Sequence, residues 1–186
     1  MITVNLVVYV YTSVVGGNFI EPFRANDYLL LSLGQVNALT INGHYWQLLT
    51  SMFVHIDVIH LFGNMFFLLI FGFRAEEFFS PEEFFFIYFI SGLSGNLLTL
   101  LMPLNTVSAG ASGAIFGIFG ACVIYLGKRF GQSIMGALMY SFFLLMMTAG
   151  GNVNILAHFG GLAAGLMIGY ALAKRRKITI ETEFTI

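Results

Sequence analysis

Charge is what this 186-residue chain has least of: Asp, Glu, Lys and Arg make up 9% of it, against roughly 25% in soluble domains. Hydrophobic residues reach 58% and the mean hydropathy is +0.87, a composition that excludes an ordinary water-soluble globule and points to lipid as the solvent. Between Ser80 and Gly127 the only charged side chains are Glu82 and Glu83, and Gly131 to Ala173 holds no Asp, Glu, Lys or Arg. Each of those blocks is long enough for two membrane spans. Cysteine is nearly absent as well. The lone Cys122, deep in an apolar run, excludes an internal disulfide and any Cys-based metal motif, and is read as a buried thiol. A net formal charge of −1 gives no reason to expect nucleic acid as a partner. The apolar N-terminus lacks the positive n-region of a signal peptide, so a retained first helix is expected.

What is present is a series of apolar runs. A span needs about 20 mostly apolar residues to cross roughly 30 Å of hydrocarbon. Six segments are expected to serve: Val4 to Ile20, Met52 to Phe73, Phe84 to Met102, Ala109 to Gly127, Ser133 to Ala149, and Ile155 to Ala173. The expected fold class is therefore all-α, a polytopic six-helix bundle forming a single membrane domain over residues 1–186. Seven of the eight basic residues share one side of this arrangement: Arg74 after span two, Lys128 and Arg129 after span four, and Lys174 to Lys177 after span six. Basic residues near span ends stay in the cytoplasm, so both termini are expected there, and spans two, four and six enter from outside. Compact size and the lack of a transit segment suggest a prokaryotic cell membrane. The segment from Glu21 to Thr50 is too broken to span and too apolar for an open loop. With Tyr45 and Trp46 it is expected to lie partly in the interface, where such aromatics concentrate.

Polar side chains inside a span are expensive, so each needs a reason. Span two contains His55, Asp57, His60 and Asn64, span four opens Gly110-Ala111-Ser112-Gly113, and span six contains His158. At 1.5 Å per residue, Ser112 and His158 each lie about one turn in and His60 about two. Asn64 is one turn deeper, on the same face as His60. Three helices thus deliver Ser, His, His and Asn to one outer layer. Glycines set how closely those helices approach. Gly113, Gly117 and Gly120 on span four, and Gly161, Gly165 and Gly169 on span six, repeat a small-xxx-small pattern that permits backbone contact. With His158 three residues before Gly161, packing of the two spans would bring imidazole to hydroxyl.

A serine hydroxyl becomes nucleophilic when a base within about 2.6 to 3.2 Å takes its proton, and histidine is the usual base. Acyl transfer also needs donors aimed at the developing oxyanion. The candidates are the Ser112 backbone N–H, among the unpaired donors of a helix N-terminus, together with His60 and the Asn64 amide. No acid is placed behind His158, since Asp57, on span two, has no reason to sit there; a Ser112–His158 dyad is the economical reading.

These residues resemble the three signature regions of rhomboid proteases: His60 and Asn64 at the outer start of span two, Gly110-Ala111-Ser112-Gly113 opening span four, and Ala157-His158-Phe159-Gly160-Gly161 opening span six. The resemblance covers roughly Tyr45 to Ala173. It implies a Ser112–His158 dyad without an acid, an oxyanion hole from Ser112, His60 and Asn64, and no cofactor. It also implies cleavage of other proteins' transmembrane segments near the outer face. The segment before span two would be a membrane-embedded loop, and Gly72 and Glu76 match a Gly-xxx-Glu feature of the family. One departure bears on how that loop is anchored: many members have Trp-Arg where this chain has Trp46-Gln47.

Other readings compete. Zinc held by His55, Asp57, His60 and His158 suits imidazole and carboxylate chemistry, but His55 and His60, five apart, do not share a helical face; no metal is expected. Helix capping or solvation accounts for His55 and Asp57. A transporter or channel would carry polar residues through the midplane and inverted repeats, and a non-proteolytic relative would lack Ser112 or His158. Transmembrane substrates and the bilayer are the expected partners.

Overall fold

Polar residues set where several helices of this chain begin. The computed structural model describes residues 1–15, 23–130, 135, 136, 139 and 153–183. Helix α1 (Ile2–Val10) runs into a π-helical turn, Tyr11–Val15. Three short helices follow, α2 (Asp27–Leu33), α3 (Asn37–Ile41) and α4 (Gln47–Thr50), and then the long helices α5 (Val58–Glu76), α6 (Pro81–Thr99), α7 (Ser112–Phe130) and α8 (Ile155–Glu183). Asp57 caps α5 by accepting from the His60 N–H at 2.8 Å. Ser80 and Glu83 form a reciprocal capping box at α6 with Pro81 in the first turn.

The chain is mostly helical but not all-α. Strand β1 (Gln35–Val36) pairs antiparallel with β2 (Val107–Ser108), Gln35 opposite Ser108 and Val36 opposite Val107. In lipid, backbone groups must find partners within the protein, and this short ladder gives two irregular segments a partner in each other. It also fixes the chain that leads into α7.

Of the expected spans, α5 and the Ile155–Arg176 part of α8 are long and apolar enough to cross a membrane. Helices α6 and α7 have 19 residues each. Polar or small residues dilute them, among them Asn96 and Gly92 in α6 and the glycines of α7, and these face protein rather than lipid. Helix α7 is the central one, with Ala114, Ile115, Ile118 and Ala121 at most 1% exposed. The expected fifth span, Ser133 to Ala149, apart from residues 135, 136 and 139, and the end of the first lie outside the described residues. Span two begins later than expected because Met52 to Ile56 are turn, bend and irregular chain, and the helix waits for its Asp57 cap.

The packing of α7 on α8 is backbone against backbone. A Cβ on Gly161 would lie 1.9 Å from the Gly113 carbonyl oxygen, and one on Gly165 2.0 Å from that of Gly117. Helix α6 closes on the same point, since a Cβ on Gly95 would lie 2.4 Å from the Ala157 carbonyl oxygen. Close approach of this kind, with dispersion in place of a hydrophobic drive, is how helices associate in lipid.

Before α5, the broken segment is anchored by buried amides. Gln47 is fully buried; its side-chain oxygen accepts from the Val36 N–H at 3.0 Å and the Thr40 hydroxyl at 2.9 Å, and its nitrogen donates to the Leu31 carbonyl at 2.8 Å. Gln35 donates to the Asn96 carbonyl and Asn37 to the Thr99 carbonyl, tying the segment to α6. Phe23, Tyr28, Tyr45 and Trp46 are exposed on it. Gly72 of the Gly-xxx-Glu feature is buried near Phe84, and Glu76 is exposed at the end of α5.

Gly161→Ala is expected to destabilise the protein by about 1–3 kcal/mol through overpacking. Gly63→Ala, with open space around the added methyl, is expected to be neutral or to stabilise by up to ~1 kcal/mol through helix propensity. Thermal unfolding in detergent compares them; equal losses would show that the glycine contact does not limit α7–α8 packing.

Candidate active site

Ser112 opens α7 and His158 lies on the first turn of α8, so the glycine contact governs their separation. The His158 Nε2 is 2.9 Å from Ser112 Oγ, within hydrogen-bond range. Phe116, one turn below Ser112, stacks on the imidazole with ring centroids 4.4 Å apart and an interplanar angle of 26°. That stacking restricts the ring to one orientation. Among the described residues His158 has no carboxylate partner.

Helix α8 starts where it does because Asn154 caps it, accepting from the Ala157 N–H at 3.0 Å. The Asn154 amide also donates to the Thr99 hydroxyl at 2.9 Å and the Ser108 hydroxyl at 2.8 Å. One side chain thus fixes the start of the histidine helix to α6 and to the strand leading into the serine helix.

His60 and Asn64 face the loop before Ser112. Gly110 has φ +125°, a left-handed value that glycine adopts freely, and a Cβ there would lie 2.8 Å from both Nε2 and Cε1 of His60. The Gly110 N–H is held by the Ser51 carbonyl at 2.9 Å. Asn64 donates one amide hydrogen to the His60 carbonyl at 2.9 Å, leaving its second donor. Because α5 starts at Val58, His60 sits in its first turn, one turn nearer the surface than the sequence suggested. Ser112, His158, His60 and Asn64 all line one cavity of about 380 Å³.

His55, separated from His60 by the helical-face argument, is brought to it: their rings meet edge to face at 5.2 Å. His55 precedes the helix, which starts at Val58, so helical spacing does not set its distance from His60. It is fully buried, so solvation does not explain it; Asp57 is accounted for by its cap. Sequence reasoning missed Phe116, Gln35, Asn37 and Asn154. Only Asn154 carried a signal, an Asn just before an apolar helical run.

The chain matches the Rhomboid domain over residues 42–175. It is 33% identical over 166 residues to "RHOMBOID-like protein 6, mitochondrial" of Arabidopsis thaliana, covering 82% of this chain and 54% of that protein. It is 32% identical over 142 residues to "Putative rhomboid protease YdcA" of Bacillus subtilis (strain 168), covering 73% and 71%. Against "Rhomboid-like protease 3" of Toxoplasma gondii the identity is 30% over 173 residues, covering 88% and 64%. The chain therefore belongs to the rhomboid family of integral membrane proteins. It spans about half the length of the first of these relatives. Because they come from a bacterium, a plant and a protozoan parasite, they give no support to the expectation of a prokaryotic membrane.

Asn154→Ala is expected to destabilise the fold by about 1–3 kcal/mol, combining a lost cap with two lost buried hydrogen bonds. Asn154→Asp, which keeps the cap acceptor but not the donors, should fall between. Thermal unfolding in detergent ranks the three proteins; an unchanged midpoint for Asn154→Ala would rule out the anchoring role.

Proposed function

We propose that the chain is an intramembrane serine endopeptidase that cleaves transmembrane segments of other proteins near the outer face of the bilayer. The single observation that carries this reading is the 2.9 Å approach of His158 Nε2 to Ser112 Oγ across the glycine contact, at a cavity also lined by His60 and Asn64. The reading takes residues 1–186 as one domain of six spans with both termini in the cytoplasm, the site lying at the end of α7 away from Lys128 and Arg129.

Ser112 Oγ attacks the scissile carbonyl as His158 Nε2 takes its proton. The negative oxygen of the tetrahedral intermediate is held by the Ser112 N–H, which has no partner within the first turn of its helix, and by donors from His60 and Asn64. Donors fixed in advance act strongly where water is scarce. Collapse expels the amine, which receives the proton from His158, and leaves an acyl group on Ser112. Water entering from the near face is then deprotonated by His158 and hydrolyses that ester. Stacking on Phe116 takes the orienting part that an acid plays in a triad. A helical substrate hides its carbonyls in its own hydrogen bonds, so segments with helix-weakening or small residues near the cut are the expected substrates.

The test is covalent labelling of the purified protein by a fluorophosphonate probe, alongside cleavage of a membrane-protein substrate. Ser112→Ala and His158→Ala are expected to abolish both. Cleavage that survives Ser112→Ala and is lost with a chelator would favour metal chemistry instead, and absence of both activities would return the chain to the non-proteolytic or transport readings. Asn64→Ala and His60→Ala are each expected to lower kcat by about 10²–10³-fold, the range for losing one oxyanion donor, with a smaller change in KM; an unchanged kcat would remove that residue from the oxyanion hole.

A further inference from the structure

The end of the molecule opposite Ser112 holds a second cavity, of about 600 Å³, lined by Tyr125, Lys128, Arg129, Tyr170, Lys174 and Arg176. Lys128 is sixteen positions along α7 from Ser112, roughly 24 Å at 1.5 Å per residue. In a hydrocarbon layer roughly 30 Å thick, that separation puts the cavity near the headgroups of the other leaflet.

The charges there are unbalanced. Arg176 pairs with Glu83 and also donates to the Phe78 carbonyl and the Tyr125 phenol. Arg129 donates to the same phenol at 3.1 Å. With both lone pairs engaged, the Tyr125 hydroxyl keeps its own hydrogen to give. The two lysines are placed differently. Lys128 Nζ lies 4.9 Å over the Tyr170 ring, a contact that orients the ammonium without neutralising it. Lys174 is exposed and has no carboxylate partner among the described residues. Arg176 is thus matched by Glu83, while Lys128 and Lys174 have no carboxylate partner among the described residues.

The shape selects among anions. A cavity of about 600 Å³ is many times the ~30 Å³ that a water occupies in the liquid, so a bare inorganic ion would leave most of it to solvent. On α8, Met167, Tyr170 and Lys174 follow at i, i+3 and i+7, one face of a helix. Met167 is 72% exposed and Tyr170 45%. An apolar path therefore leads from the cations toward the membrane interior.

We propose that this pocket binds the phosphate headgroup of an anionic glycerophospholipid, with Lys128 and Lys174 on the phosphate, Tyr170 against the glycerol and an acyl chain along Met167. Basic pockets between spanning helices on the cytoplasmic side suit such headgroups. The site is independent of the proteolytic reading, because it lies at the far end of α7 and uses none of its residues.

The test is native mass spectrometry of the full chain, delipidated in detergent and titrated separately with dioleoyl phosphatidylglycerol, dioleoyl phosphatidylcholine and sodium phosphate. Phosphatidylglycerol is expected to bind at least about tenfold more tightly than phosphatidylcholine. Each lysine contributes about fivefold (~1 kcal/mol) near an anionic surface. Lys128→Gln and Lys174→Gln should therefore each weaken phosphatidylglycerol by about fivefold, and the double variant by about 25-fold. Arg74→Gln, the same charge loss at the end of α5 outside the cavity, should change binding by less than twofold; thermal unfolding of each variant checks its fold. Equal binding of the two lipids would overturn the proposal, as would an Arg74→Gln loss equal to the double variant's. Inorganic phosphate binding as tightly as phosphatidylglycerol would overturn the lipid assignment and leave a free-phosphate site.

Discussion

The contact on which the rest of the structure depends is the absence of side chains between α7 and α8. With Gly161 against the Gly113 carbonyl and Gly165 against that of Gly117, the two helices touch through main chain over several turns. Ser112 precedes the first of those glycines by one residue and His158 precedes its partner by three. The spacing of hydroxyl and imidazole is thus inherited from helix packing, and no flexible side chain stands between them to absorb an error. Backbone approach of this kind suits a bilayer, where lipid tails solvate an apolar face as well as a neighbouring helix does.

Beside that rigid pair, buried amides hold the irregular segment that precedes α5. Gln35, Asn37, Gln47 and Thr40 are all fully buried, and they serve backbone groups that no helix or long strand satisfies. A buried group left unpaired would cost about 1–3 kcal/mol, so each of these side chains holds a segment of irregular chain in place. Gln47 is the clearest case. Where many rhomboids carry arginine, a neutral amide that both donates and accepts reaches three partners of the loop.

Much of this was legible in the sequence because lipid narrows the choices. The near absence of charge between Ser80 and Gly127 fixed helices α6 and α7, and the glycine spacing in Ala109 to Gly127 and Ile155 to Ala173 indicated which helices meet. Ser112 and His158 stood out because polar atoms in an apolar run need a reason. The β1–β2 ladder was hidden, since two-residue strands carry no alternation to read. The start of α5 was misplaced because Met52 to Ile56 are apolar enough to look helical, and the Asp57 cap outweighs them. That error carried into the depth given to His60 and into the separation of His55 from it. Phe116 carries no signal in the sequence, because an aromatic residue in a membrane helix is ordinary and only its stacking on His158 sets it apart.

Helices α5, α7 and α8 all begin at the same end of the molecule, at Val58, Ser112 and Ile155. Each helix start carries the equivalent of roughly half a positive charge, and the low-dielectric surroundings of a membrane leave such fields poorly screened. The starts of α7 and α8 meet the cavity shared by Ser112, His60 and His158 with no acidic residue in their first turns, the start of α5 being offset by its Asp57 cap, while α5 and α7 finish in Arg74, Lys128 and Arg129, which offset their negative ends. The bundle therefore holds a standing electrical potential that favours negative charge at one mouth, built from main chain alone and unaffected by most side-chain substitutions.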